Sequence, residues 1–288
     1  MILITGAAGK TGQAVIGSLV ARGQDVRGLV RRREQALLLE QLGVEDIVTG
    51  DMGDQVTMNQ AAVEADAIYH ICPNVHPQEV AIGETAIRAA QAAGVRRFVY
   101  HSVLHPQIEA MPHHWQKLRV EEKLFASGLA YTIIQPAAYM QNVLANWDFI
   151  VNDGVYTVPY ALETRLSMVD LRDVAEAVAA VLVEAGHEGA TYELCGAEDL
   201  SQYEIAQLMA KHLGREVNAE VMAIDKWERQ ARRAGLSDYA VDTLLKMFRY
   251  YERYGFWGNS RVFGWLIGRS PVTFEGFLAR TVRDRNHF

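Results

Sequence analysis

Ile2-Leu3-Ile4-Thr5-Gly6-Ala7-Ala8-Gly9-Lys10-Thr11-Gly12 is the stretch whose reading decides the fold. An apolar run enters three glycines spaced three apart, and a helical pattern over Lys10–Arg22 follows at once. The turn after a buried strand needs a residue without Cβ, a second glycine lets the backbone approach a pyrophosphate, and a third lets the helix pack close to the strand. The free N–H groups and positive dipole end of that helix then meet the phosphates. Gly6, Ala8, Gly9, Lys10, Thr11 and Gly12 are therefore candidate cofactor-binding residues.

Outward from this turn, strand-like runs alternate with helical ones. Strands are expected over Met1–Thr5, Asp25–Val30, Asp46–Thr49, Asp66–Ile71, Arg97–His101 and Tyr131–Gln135. Helices are expected over Arg33–Gln41, Gln55–Glu64, Pro77–Ala93 and Trp115–Ala126. Strands joined by helical crossovers predict an α/β fold, a doubly wound parallel Rossmann sheet covered on both faces. Beyond it come a helix over Asp170–Val183, a strand over Thr191–Cys195 and a helix over Ser201–Leu213. The last opens on the capping box Ser201-Gln202-Tyr203-Glu204. No strand signal follows Asp225, where half of the aromatic residues lie. The expected division is a dinucleotide-binding domain over 1–150 and a smaller, mainly helical substrate region over 151–288, packed as one body.

A chain of 288 residues, 50% hydrophobic and 22% charged, has core enough to fold without staples. Its formal charge of −7 argues against nonspecific nucleic-acid or membrane binding, and no nucleic-acid or membrane partner is expected. Cys72 and Cys195 are far apart and form no metal-ligand spacing, so free thiols, a reducing compartment and no metal site are expected. No leader pattern and no apolar run of membrane-spanning length are seen, which predicts a cytoplasmic protein, monomer or homodimer.

The second strand bears on the choice of cofactor. An acidic residue at its end would bind a ribose 2′-hydroxyl, but here it ends Gly28-Leu29-Val30-Arg31-Arg32-Arg33. A carboxylate would repel a 2′-phosphate, whereas the Arg31 guanidinium can pair with it, so NADP(H) is expected over NAD(H). Lys10 would reinforce that charge. Two further loops follow strands on the same edge: Gly50-Asp51-Met52, with Asp51 and Met52 candidates for the adenine side, and Ile71-Cys72-Pro73-Asn74, with Cys72 and Pro73.

These features, with Tyr100-His101-Ser102, His113-xxx-Lys117-xx-Val120-Glu121, Gln135-Pro136-Ala137-Ala138-Tyr139-Met140-Gln141-Asn142 and Val169-Asp170-Leu171-Arg172-Asp173, resemble the NmrA-like family of atypical short-chain dehydrogenase/reductases. The resemblance implies quinone or triphenylmethane reductases, alongside catalytically silent NADP(H)-sensing regulators. It assigns Lys117 and Pro136 to the cofactor, and Tyr139 to cofactor and substrate. The wider superfamily works with Ser, Tyr and Lys; here Ser102 and Lys117 stand in place but His113 occupies the tyrosine position. Loss of that acid puts ordinary carbonyl reduction in doubt. His113 could substitute, whereas His114 is expected to face solvent. The expectation is an NADPH-dependent reductase with an apolar, conjugated or aromatic acceptor such as a quinone, with the silent regulator as alternative. Catalytic candidates are Lys117, His113 and Ser102. Substrate candidates are Tyr139, Asn142 and Trp257, the last from the aromatic stretch Tyr250–Gly258, which reads either as a lid or as core packing.

Overall fold

Ile2, Leu3 and Ile4 are all buried and form β1 (Ile2–Ile4), the centre from which the main sheet of the computed structural model is laid out; residues 1–285 are described. In chain order there follow β2 (Val26–Val30), β3 (Asp46–Thr49), β4 (Ala67–His70), β5 (Arg97–His101), β6 (Tyr131–Pro136), β7 (Val155–Val158), β8 (Ala190–Leu194) and β9 (Asn218–Val221). Seven of them pair in the order β3-β2-β1-β4-β5-β6-β8. Pairing is parallel from β3 through to β6, with Leu3 set between Arg27 and Ile68. The order reverses direction at β1 and β4, and the loops after these two strands meet at the carboxyl edge of the sheet.

The crossovers are α1 (Lys10–Val20), α2 (Ala36–Glu40), α3 (Gln55–Ala62), α4 (Glu79–Ala93) and α5 (Pro112–Phe125). Helix α1 buries Gly12, Val15, Ile16 and Leu19, the three-four spacing of one helix face. Leu3, Ile68, Phe98 and Ile133 from four strands join Ala86, Ala90, Val120 and Leu124 from α4 and α5 in one core. Each such large side chain contributes roughly 1.5–3 kcal/mol by leaving water. Helices α4 and α5 meet at Gly83, where a Cβ would lie 2.6 Å from Val120 Cγ1. That missing methyl brings the two helices together.

The chain forms two compact units. The first comprises Met1–Glu109, His113–Pro136 and Val174–Tyr192; the second comprises Ala110–Pro112, Ala137–Asp173 and Glu193–Phe288. The division differs from the single cut expected after residue 150. After α6 (Trp147–Asp153) the chain returns through α7 (Leu171–Val183) and β8, which extends the sheet beside β6. Arg97 of β5 anchors this return by donating to the Leu182 carbonyl and pairing with Glu188 at 3.2 Å.

The second unit holds a small sheet of β7 and β9, paired in parallel from Val155 with Asn218 to Val158 with Val221. Sequence patterning missed it, because four residues with one partly polar face give little periodicity. Two buried carboxylates organise the helices of this unit. Asp170 accepts from Arg280 and, at 2.6 Å, from Gln141 Nε2. Asp173 accepts from Arg269 Nη2 at 2.7 Å and the Val272 amide at 2.6 Å. Tyr251 stacks on Phe256 at 4.8 Å, both buried, whereas Tyr254 and Trp257 are exposed. No described helix is long and apolar enough to cross a membrane.

Candidate active site

The glycine turn has the geometry its residues dictate. Gly6 sits at φ +59°, where a Cβ would meet the Ile71 carbonyl oxygen at 2.8 Å. A Cβ on Gly12 would lie 2.5 Å from the Gly6 carbonyl oxygen and 2.7 Å from that of Ala7. The turn closes with the Gly9 amide donating to Gly6 at 3.0 Å, and Gln13 Nε2 braces the Ala8 carbonyl at 2.7 Å. Gly9 caps α1 without a side-chain hydrogen bond. Gly9 and Lys10 are exposed, and Ala8 and Thr11 half-buried. This is a cradle that a Cβ would fill, and it fits a pyrophosphate.

Arg31 stands at the end of β2 with its side chain 80% exposed, 4.0 Å from Asp51 Oδ2. Such an exposed pair holds the guanidinium loosely. Gln35 Oε1 accepts from the amides of Arg31 and Arg32 at 3.1 and 3.0 Å and fixes the backbone of the basic turn. Asp51 Oδ1 accepts from the Gly53 amide at 2.8 Å, and Met52 packs against the core. Beyond β4, Cys72 is buried and Pro73 exposed.

Below this edge lies a buried polar network within the first unit. His113, Lys117 and Glu121 fall at intervals of four on α5 and share one face. The approach of α4 at Gly83 brings Glu79, one turn earlier, against Lys117. Lys117 Nζ donates to Glu79 Oε1 at 2.9 Å and to the His101 carbonyl at 3.2 Å, and lies 5.5 Å from the centre of the Tyr100 ring. Tyr100 donates to the same Glu79 oxygen at 2.9 Å. Deeper along α5, Glu121 Oε1 accepts from the Ser102 hydroxyl and, at 2.8 Å, from Gln135 Nε2. Tyr69 joins His101 Nδ1, and Thr5 joins His70 Nδ1 at 3.0 Å.

Burial sets the charges here. It raises the Glu79 carboxyl, but the Lys117 ammonium and the bonds from Lys117, Tyr100 and Cys72 outweigh it and hold the group below its ordinary range. Burial raises the Glu121 carboxyl, and the bonds from Ser102 and Gln135 with the Lys117 charge offset only part of that. Burial, helped by Lys117, lowers His113 to about 4 and His101 to about 3; it lowers His70 to about 4 against the pull of Glu79. The Cys72 thiol is pushed well up by burial and by Glu79.

Among the catalytic candidates, Lys117 and His113 share a helix face, and the buried His113 Nδ1 has no hydrogen-bond partner among the described residues. Ser102 is committed to Glu121. His114 is not exposed as expected: it is fully buried, its Nδ1 bonded to the His105 carbonyl at 3.2 Å, because the loop after β5 folds over the start of α5. Pro136 ends β6, its carbonyl accepting from Leu104 at 2.9 Å. In the second unit Tyr139 is half-buried and bridges to Val169, Asn142 is exposed, and Trp257 is 58% exposed. Sequence reasoning did not single out Glu79 or Glu121 as site residues. Glu121 had a signal in its spacing of four from Lys117, whereas Glu79 comes from another helix and had none.

Residues 1–271 match the model of the NmrA-like family. Quinone oxidoreductase 2 of Escherichia coli (strain K12) is 28% identical over 288 residues, 99% of this chain and 100% of its own. The (4-alkanoyl-5-oxo-2,5-dihydrofuran-3-yl)methyl phosphate reductase of Streptomyces griseus is 33% identical over 257 residues, 88% of this chain and 86% of its own. The crystal structure of an E. coli NADPH-dependent quinone oxidoreductase complexed with NADPH matches with a TM-score of 0.85 at 28% identity, covering 99% of this chain and 100% of that one.

Proposed function

This chain belongs to the NmrA-like family, as its motifs indicated, and from that membership we propose that it is an NADPH-dependent oxidoreductase whose acceptor is apolar, conjugated or aromatic, a quinone above all. The observation that carries the acceptor class is His113. It occupies the position of the superfamily's tyrosine acid, yet burial and Lys117 lower it to about 4, so near neutrality it is an uncharged imidazole with no proton poised to leave. Acceptors that spread the incoming negative charge over a conjugated system need no proton at the moment of hydride transfer. A neutral His113 suits these and does not suit simple ketones or aldehydes.

The cofactor, when bound, supplies the hydride; the chain binds it, orients it and excludes water. Gly6 through Gly12 would hold the pyrophosphate, and Arg31 would pair with the 2′-phosphate. Two donors of Lys117 are taken by Glu79 and the His101 carbonyl, and a third would be left for the nicotinamide ribose. The names of the E. coli and Streptomyces relatives, a quinone oxidoreductase and a reductase, support this reading. NADPH oxidation measured against quinones, enones, aromatic aldehydes and cationic dyes tests it. Turnover is expected with quinones and dyes before aldehydes. Intact NADPH binding without turnover of any acceptor would overturn it in favour of a cofactor-sensing regulator.

A further inference from the structure

Two carboxylates, Glu79 and Glu121, are each only 3% exposed, and Lys117 is the one buried Lys or Arg among the described residues. Lys117 bonds Glu79 at 2.9 Å. Glu121 has only neutral partners, the Ser102 hydroxyl and the Gln135 amide, and no ion pair to it is found among the described residues. A second buried negative charge beside one ammonium is costly unless it takes up a proton.

The state of Glu121 decides what Ser102 can do. A serine hydroxyl has one hydrogen. Facing a carboxylate, Ser102 directs that hydrogen to Glu121 Oε1 and has none to give elsewhere. Facing a carboxylic acid, the contact reverses: Glu121 donates to Ser102 Oγ, Gln135 Nε2 still donates to Glu121, and the Ser102 hydrogen is free. Ser102 follows β5 directly, at the same carboxyl edge of the sheet as the glycine turn after β1.

We propose that Glu121 is the proton store of the reaction, its carboxyl proton freeing the Ser102 hydroxyl to donate to the oxygen of the reduced acceptor. The inference rests on the reductase reading above. Hydride transfer oxidises the cofactor and leaves the acceptor an oxyanion. Ser102 gives its proton to that oxyanion while the Glu121 O–H breaks and its proton passes to Ser102 Oγ. The products are the reduced acceptor with two added hydrogens, the oxidised cofactor and a Glu121 carboxylate, which recovers a proton from water once product leaves. The positive charge gained by the oxidised cofactor favours the carboxylate in the same step.

The charged or titratable groups around Glu121 are Lys117 on its own helix, Tyr100 of β5 and, across Lys117, Glu79 of α4. Burial keeps His70, His101 and His113 uncharged above about pH 4. Of the two buried carboxyls in this cluster, burial raises Glu121, whereas Lys117 and its hydrogen bonds hold Glu79 low.

The test compares the dissociation constants of NADP+ and NADPH across about pH 5.5 to about pH 8.5; the 2′-phosphate is common to both and cancels in their ratio. As Glu121 ionises, the NADP+ constant should fall relative to that of NADPH by about threefold or more, about tenfold for each unit by which the oxidised cofactor lowers the Glu121 pKa. Glu121→Gln should flatten the ratio, and Glu121→Asp should keep a slope with a displaced midpoint. In turnover, the quinone rate of wild type should decline on the alkaline side, and Glu121→Gln should lose that limb. A flat ratio in wild type, or an unchanged slope in Glu121→Gln, overturns the inference even if quinones are reduced. A Glu121-dependent slope without turnover of any acceptor upholds the proton linkage and refutes the reductase reading instead.

Discussion

Replacing Glu79 by glutamine keeps the length of the side chain and its Oε1 acceptor but removes the charge that balances Lys117. The Lys117 side chain is 10% exposed and Glu79 only 3%, so water cannot take over the lost partner. Breaking one side of such a buried pair costs about 3–5 kcal/mol, a large share of the roughly 5–15 kcal/mol that holds a domain folded. At about 2 °C per kcal/mol for a chain of this size, the melting temperature should fall by roughly 6–10 °C. Lys117→Met, which strands Glu79, should fall by a similar amount. The double variant removes both charges and should return to within about 1 kcal/mol of wild type, an interaction energy of several kcal/mol. Urea unfolding of the four proteins at neutral pH measures the cycle. The pH dependence adds a check of sign. Folding lowers the Glu79 pKa, so its contribution is full above the unfolded value of about 4.3 and is lost as pH falls through the folded one. Glu79→Gln should therefore lose less stability than wild type in acid. A Glu79→Gln variant within about 1 kcal/mol of wild type, or a double variant as unstable as the two singles combined, would refute the reasoning.

Arg31→Asp should weaken NADPH by about 1.5–3 kcal/mol while sparing NADH, read by titrating both cofactors; equal affinities in wild type would remove the basis for NADP(H) preference. Gly12→Ala sets a methyl 2.5 Å from the Gly6 carbonyl oxygen and should abolish measurable cofactor binding, so retention of wild-type affinity would show that the turn gives way. His113→Ala should change the quinone rate by less than about tenfold, since an uncharged imidazole lends no proton; a loss of about 10²–10⁴-fold would make it the acid after all. Asp170→Ala leaves the half-buried Arg280 without its buried partner and should cost about 3–5 kcal/mol in thermal unfolding, and a cost below about 1 kcal/mol would contradict the clamp described for the second unit.

Most of the sheet could be read from the sequence because its strands are short apolar runs punctuated by glycines and helical crossovers, and β1 to β6 fall within a residue or two of the expected bounds. The phosphate cradle was legible for a related reason. Gly6 and Gly12 stand where no other residue fits, so their spacing carries the geometry directly. Lys117 and His113 were legible through the family resemblance, which puts them at the lysine and tyrosine positions. Their protonation states were not, because these depend on burial and on Glu79, which a different helix brings in. His114 shows the same limit: ideal helix geometry turns it away from His113, and only the loop through His105 decides that it is covered. The β7–β9 pair depends on contacts between distant segments that no local pattern records.

The order in which the sheet is completed matters for how the chain leaves the ribosome. β6 ends at Pro136, but its outer neighbour β8 ends only at Leu194, about sixty residues later. At about 5–20 residues per second, the hydrogen-bonding edge of β6 stays bare for roughly 3–12 s during each round of synthesis. A bare edge of this kind recruits strands from other chains. A fragment cut after residue 150 would keep the whole glycine turn and Lys117, yet display that edge permanently. Such a fragment should aggregate, and one extended through Leu194 should be markedly less prone to do so.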